Sequence, residues 1–259
     1  MDETKFISGR IVERLDVSDD LAVFRIAPDE ECHFTPGQFA TLGLPSADGK
    51  LVERAYSIAS SPLEKHLEFF IELVPEGRLT PSLFLLNMGD RVFIRRKFSG
   101  RFTLDEGAIV HLMAATVTGV APYLSILRTR ATLLRRSASE AAERVNRFLV
   151  VHGAGRSQEL GIYRVELETL AREFAFITYV PTVSRFSEDA EWMGEVGRVE
   201  DVLRKHADKL MSGSPDSVVA AYLCGHPQMI ENARGILARC RVPSERIHEE
   251  KYFTVKSPR

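Results

Sequence analysis

Cysteine is scarce in this chain: Cys32, Cys224 and Cys240 lie far apart, with no CxxC or Cys/His grouping around them. That spacing offers no thiolate-bound metal or iron–sulfur site, and scattered thiols suit a reducing compartment. No apolar run approaches the roughly 18 residues of a membrane span. The opening MDETKFISGR lacks a basic flank followed by an apolar core, so it does not read as a secretory signal. Neither sign of charge dominates. A formal net charge of −2 gives no bulk argument for nucleic acid or an anionic membrane, so a basic partner site must be local. Internal repeats, low-complexity tracts and the dinucleotide pattern GxGxxG are missing too. What remains is the expectation of a cytoplasmic protein able to bury a core, with 44% of its 259 residues apolar and 27% charged.

Two different periods divide the chain. Up to about residue 102 it reads as short strands, LAVFRIAP, QFATLGL, RAYSIAS, LEFFIELV and DRVFIRR, separated by PDEE, PSADGK, SSPLEK and NMGD. Such spacing predicts an antiparallel sandwich or barrel, interrupted by one short helix at PSLFLLN. Beyond residue 105 the apolar runs AIVHLMAA, RFLVVHGA, FAFITYVPTV and VVAAYLCG alternate with helical patterns. Those patterns are YLSILRTRATLLRR, ELGIYRVELETLARE, RVEDVLRKHADKL and PQMIENARGILARC. Strands apolar throughout and separated by helices predict a parallel sheet covered on both faces. The expected fold is therefore an α+β two-domain chain. Residues 1–102 form an antiparallel β-barrel and residues 103–259 a doubly wound parallel α/β domain. The charged stretch LLRRSASEAAERVN reads as a solvated helix face.

Two helix starts carry phosphate-binding features. In GRLTPSLFLL, Thr80 is an N-cap candidate, Pro81 suits the first helical position and Gly77 permits close backbone approach. Exposed N–H groups at such a start attract a phosphate, although the same residues also make a capped surface helix without a ligand. TVTGVAP repeats the construction after the first parallel strand. There Pro122 opens a helix, Gly119 permits a tight turn, and Thr116 and Thr118 supply hydroxyls. Doubly wound folds open their ligand crevice at the carboxyl ends of the strands. The remaining strands end there in HGAGR, TVSR and CGHP, so four polar or glycine-containing ends share one edge. That convergence points to a nucleotide, with ordinary βα turns as the other reading. Arg185 after the third strand and Arg198 before the next helix suit a 2′-phosphate, which favours NADP over NAD.

The ordered set PGQF (36–39), RAYS (54–57), VPEGRLTP (74–81), TGVAP (118–122), VSR (183–185), LCGHPQM (223–229) and EKYF (250–253) covers nearly the whole chain. In this it resembles the bacterial ferredoxin/flavodoxin–NADP⁺ reductases. The resemblance implies an FAD-binding barrel, an NADP-binding α/β domain, and a C-terminal tail that returns to the flavin. It implies that Arg54 pairs with the FAD pyrophosphate, that Tyr56 beside Ala55 stacks on the isoalloxazine, and that Ser57 lies near flavin N5. Phe69, Phe70, Ile71, Arg78, Leu79 and Thr80 would add FAD contacts, and Thr116 would stand between the flavin and nicotinamide sites. Thr118, Gly119, Ser184, Arg185, Arg198, Cys224 and Gly225 would hold NADP, with Arg156 a further nucleotide arginine and Cys224 beside nicotinamide C4. Tyr252 and Phe253 would cover the flavin. Ser57, Cys224, Glu250 and Tyr252 are the catalytic candidates.

The implied activity is hydride exchange between NADPH and FAD N5, coupled to a one-electron carrier, ferredoxin or flavodoxin. Two other readings stay open: a free-standing reductase component of an oxygenase system, and a flavin-binding sensor without turnover. The carrier is expected to be small and acidic, met by Arg95, Arg96, Lys97 and Arg101. Arg156 and the run Arg128 to Arg136 are competing patches, and a monomer is expected. Three features depart from the family pattern, the first being that HGAGR carries Gly155 in a stretch where relatives often place the arginine sooner. Val117 stands where a glycine is usual, although a β-branched residue resists φ > 0, and the chain continues past the aromatics as TVKSPR.

Overall fold

The computed structural model describes residues 3–46, 49–136, 146–212 and 218–252, so residues 137–145 of the charged stretch fall outside it. Six strands fill the first part: β1 (Phe6–Asp16), β2 (Leu21–Pro28), β3 (Phe39–Pro45), β4 (Leu51–Ser57), β5 (Leu67–Glu72) and β6 (Arg91–Arg95). A single turn of helix, α1 (Thr80–Leu83), lies between β5 and β6. The strands make one antiparallel sheet in the order β4-β3-β6-β1-β2-β5. Its outer strands approach each other, because Ala59, just beyond β4, donates its backbone N–H to Glu68 O on β5 at 2.8 Å. A barrel results, with Ile11, Phe24, Leu42, Phe69 and Ile94 inside. Each such side chain contributes about 1.5–3 kcal/mol by leaving water. β1 is an addition to the sequence reading. Ile7, Gly9 and Ile11 mark its buried face, but the charged Arg10, Glu13 and Arg14 are interleaved with them.

The second part alternates β7 (Val110–Thr116), α2 (Ala121–Arg136), β8 (Arg147–Ala154), α3 (Tyr163–Glu173), β9 (Ile177–Val183), β10 (Glu195–Val196), α4 (Val199–Ser212), β11 (Val219–Gly225), α5 (Pro227–Arg239) and β12 (Ile247–Lys251). All neighbours in the order β10-β9-β8-β7-β11-β12 are parallel. Helices α2 and α3 cover one face, and α4 and α5 the other. Burial on both faces explains why β11 is buried at every residue. The winding reverses between β7 and β11, which is where such a sheet opens a crevice. Among the described residues, no helix is long and apolar enough to cross a membrane.

Barrel residues Leu21, Val23, Phe70 and Phe102 share a core with α2 and α3, so the barrel packs on that face of the sheet. A buried charge cluster fixes the join. The Glu68 carboxylate, 2% exposed, accepts from Arg25 Nε at 2.5 Å and faces Arg128 Nη1 at 2.8 Å. The Tyr163 hydroxyl also donates to it, at 3.1 Å. Arg128 binds Glu166 through two further contacts, 2.6 and 2.7 Å long, and donates to Ala59 O. Ser125 Oγ donates to Ser60 O, and Ser61 shares a hydrogen bond with Thr129. Residues 59–61 therefore leave the sheet to grip α2, the helix that begins at the crevice.

Candidate functional site

Four chain segments meet at the seam: the ends of β4, β7 and β11, and β12 with the residue after it. Ser57 Oγ donates to Glu250 Oε1 at 2.5 Å, and the Tyr252 hydroxyl donates to Ser57 Oγ at 3.0 Å. Parallel register sets Cys224 opposite Glu250 on one side and Ala115 on the other. Tyr252 is anchored by its backbone N–H on Gly225 O at 3.0 Å, and its hydroxyl also reaches the Cys224 thiol. The four catalytic candidates thus occupy one cluster. Burial pushes the Glu250 carboxyl above its ordinary value, with the Ser57 hydrogen bond opposing. Burial, then the Glu250 charge, raises the Cys224 thiol well above its own. Both groups are therefore biased toward their protonated forms.

Beside this cluster lies a crevice of about 470 Å³, lined by Thr116, Thr118, Ser184, Arg198, Gly225 and Tyr252 among others. Its shape depends on close backbone approaches. A Cβ at Gly225 would stand 2.2 Å from Thr116 Oγ1, and φ there is 121°. Thr116 Oγ1 accepts the His226 N–H at 2.8 Å, which locks the ends of β7 and β11 together. Gly119 serves differently from the expected tight turn. A Cβ there would lie 2.3 Å from Cys224 O, so it is needed for proximity. The left-handed residue of this loop is Val117, at φ 43°.

The arginines divide into two kinds. Arg185 and Arg198 are exposed, with no side-chain partner among the described residues; Arg198 lines the crevice and Arg185 follows the lining Ser184. Arg156 instead pairs with Glu188 and, at 3.6 Å, with Glu159. On the barrel side, Arg54, Ala55 and Arg78 are exposed and Tyr56 is half-buried against the barrel core. Arg54 donates to Glu53 O at 2.7 Å, and Arg78 has no partner among the described residues. Thr80 does not cap α1, contrary to expectation. Its hydroxyl is held by the loop before it, accepting from Val74 N at 3.0 Å and donating to Val74 O at 3.1 Å, while Leu79 occupies the cap position.

Leu79, Phe69 and Ile71 are barrel core, and Phe70 packs edge-on against Tyr163. These side chains are not available to a ligand. Glu68 O faces the outer edge of β5, where it meets Ala59, so by strand alternation the Phe70 backbone faces that edge too. Phe253 lies outside the described residues. The proposed carrier patch is half neutralised: Arg95 pairs with Glu53, and Arg96 with Glu30 at 2.6 Å, leaving Lys97 and Arg101 exposed. In the competing run, Arg128, its side chain 12% exposed, is taken up by the charge cluster and Arg135 pairs with Glu173.

Three features of the site escaped the sequence reading. His152 is wholly buried beneath the Val117 turn, with Nε2 2.9 Å from Val117 O. Glu200, 6% exposed, lines the crevice and accepts from Asn232, which in turn accepts from Gln228. Glu72 lines the crevice from the barrel side. Only the histidine after an apolar run gave a signal, and nothing local to GRVE marks Glu200 as buried.

Comparison with known proteins is consistent along the chain. A family model for the oxidoreductase FAD-binding domain matches residues 8–102, and one for the oxidoreductase NAD-binding domain matches 113–235. The chain is 32% identical over 207 residues to the flavodoxin/ferredoxin–NADP reductase of Escherichia coli (strain K12), spanning 78% of this chain and 77% of that one. It is 30% identical over 249 residues to the reductase component of phenol 2-monooxygenase from Pseudomonas sp., spanning 95% of this chain and 65% of that one. A solved ferredoxin NADP⁺ reductase from Neisseria gonorrhoeae with bound FAD and NADP has the same fold. Its TM-score is 0.77 at 24% identity, over 96% of this chain and 99% of that one.

Proposed function

Since the chain belongs to the ferredoxin/flavodoxin–NADP⁺ reductase family, we propose that it is an FAD enzyme exchanging electrons between NADPH and a small one-electron carrier, ferredoxin or flavodoxin. The observation that carries the reading is the meeting of two features. A crevice lined by Arg198, which has no side-chain partner among the described residues, opens directly beside a part-buried chain of hydrogen-bonded protonatable groups.

The residues present fit both nucleotides. Exposed Arg54 and Arg78, the half-buried ring of Tyr56 and the free backbone edge at Phe70 would hold FAD. Arg185 and Arg198 would take the 2′-phosphate of NADPH, since guanidinium forks match phosphate oxygens. Arg156 is committed to carboxylates and would contribute only by exchanging them for a phosphate. FAD held there would supply two-electron exchange with nicotinamide and one-electron release to a carrier.

The chain's own residues orient, exclude water and hold a proton. Tyr252 donates to Ser57 and Ser57 donates to Glu250, so the Ser57 hydroxyl has one fixed direction. Glu250, half-buried and with its carboxyl raised, would hold a proton beside Ser57, and passing it on through Ser57 would require that hydroxyl to turn from donor to acceptor toward Glu250. Cys224 stays a neutral thiol in the wall beside Tyr252. With Ser57 and Cys224 buried, the cluster would limit water in the gap that the two rings must close.

The acidic carrier would meet Lys97 and Arg101, and the protein would act as a cytoplasmic monomer, in keeping with its three free cysteines. A second reading, a reductase component feeding an oxygenase, is favoured by the match to 95% of this chain in the phenol 2-monooxygenase reductase. Steady-state dye reduction tests the nucleotide: kcat/KM should be far higher with NADPH than with NADH, and equal values would remove the NADP assignment. Titrating ferredoxin, flavodoxin and an oxygenase component in a cytochrome-coupled assay separates the two readings. A flavin that NADPH leaves oxidised would return the sensor reading.

A further inference from the structure

The backbone of Val117 places a β-branched residue in the left-handed region, which glycine enters freely and valine resists. Two contacts hold it there. Its side chain packs between the α2–α3 layer and the small cluster of Ala154, Leu160, Val183 and Trp192. Its carbonyl meets Nε2 of the wholly buried His152, on the neighbouring strand β8. A carbonyl can only accept, so Nε2 carries the proton. Nδ1 is then an acceptor and receives the hydroxyl of Tyr179, 3.2 Å away on β9. Burial pushes the imidazole pKa down to about 4, so this neutral tautomer persists at neutral pH.

Both Val117 and Thr118 line the crevice. A trans peptide sets its C=O and N–H on opposite sides. With the Val117 carbonyl drawn onto His152, the Thr118 N–H points the opposite way from that histidine. We propose that His152 is a positioning residue: it holds the Val117–Thr118 peptide so that the Thr118 N–H donates to an acceptor oxygen on the nicotinamide half of bound NADPH. The inference rests on the reading of the crevice as the NADPH site. A glycine at 117 would need no such holder; His152, itself fixed by Tyr179, compensates for the valine.

The test uses FAD-loaded protein titrated with NADP⁺ and with 2′-phospho-AMP, which lacks the nicotinamide half. His152→Gln keeps an N–H near the Nε2 position, whereas His152→Asn places its amide near Nδ1 and loses Val117. Losing one buried hydrogen bond should weaken NADP⁺ about tenfold in His152→Asn. Affinity for 2′-phospho-AMP should hold, and His152→Gln should bind NADP⁺ like wild type. Unchanged NADP⁺ affinity in His152→Asn, or equal losses for both ligands, would overturn the inference. Should Asn at 152 prevent folding, Tyr179→Phe is read instead, with the same split at about threefold. Wild-type protein that binds neither ligand would instead defeat the NADPH reading, and this inference with it.

Discussion

Two buried polar clusters cross the same seam, and they are built on opposite terms. Around Glu68, each charge has a counter-charge: burial pushes the carboxyl up, but Arg128 and Arg25 outweigh it and hold it below its ordinary 4.5. Around Glu250 no cation answers among the described residues. Burial raises the carboxyl, and a hydroxyl and a thiol lie beside it. A compensated cluster fixes how two units sit; an uncompensated carboxyl is a group whose proton is easily moved. In the proposed reaction the first would set the gap, and the second would work within it.

Breaking the compensated cluster should give the largest effect. Arg128→Met leaves Glu166 without its cation and Glu68 with Arg25 alone, and should cost about 3–5 kcal/mol in denaturant unfolding, at unchanged slope. Ser57→Ala interrupts the other cluster. FAD content and stability should hold while flavin reduction by NADPH falls about 100-fold in stopped-flow absorbance. Tyr56→Ala should instead loosen the flavin about tenfold, read as free FAD after gel filtration.

The smallest effects are pH dependences of opposite sign. Glu68, depressed in the fold, contributes stability that is present above pH 4.5 and lost as pH falls through its lowered value. Glu250, raised in the fold, contributes stability that is full below pH 4.5 and lost as pH rises through its raised value. Melting curves of Glu68→Gln should therefore converge on wild type in acid. Those of Glu250→Gln should converge in acid too, but match or exceed wild type at alkaline pH. Parallel profiles for both variants would erase the distinction between the clusters.

The same contrast explains what could be read from sequence. The α/β half was legible because two-sided burial writes β7, β8 and β11 as nearly unbroken apolar runs. β1 was not, because one charged face hides three inward residues, and β12 (IHEEK) forms only because β11 offers it an edge. Motif residues at strand ends could be named one by one, but the partners of Glu68 lie 43 and 60 positions away at Arg25 and Arg128. Thr80 misled for a local reason: a hydroxyl suited to capping found the Val74 backbone closer than its own helix. Val117 was marked by its departure from glycine, while the histidine that holds it sits on another strand.

An anaerobic titration of the FAD-loaded protein, followed by flavin absorbance, tests the central claim most directly. NADPH should bleach the flavin at close to stoichiometric addition, and NADH should need a large excess. A flavin that stays oxidised under NADPH, or that responds equally to both nucleotides, would contradict it.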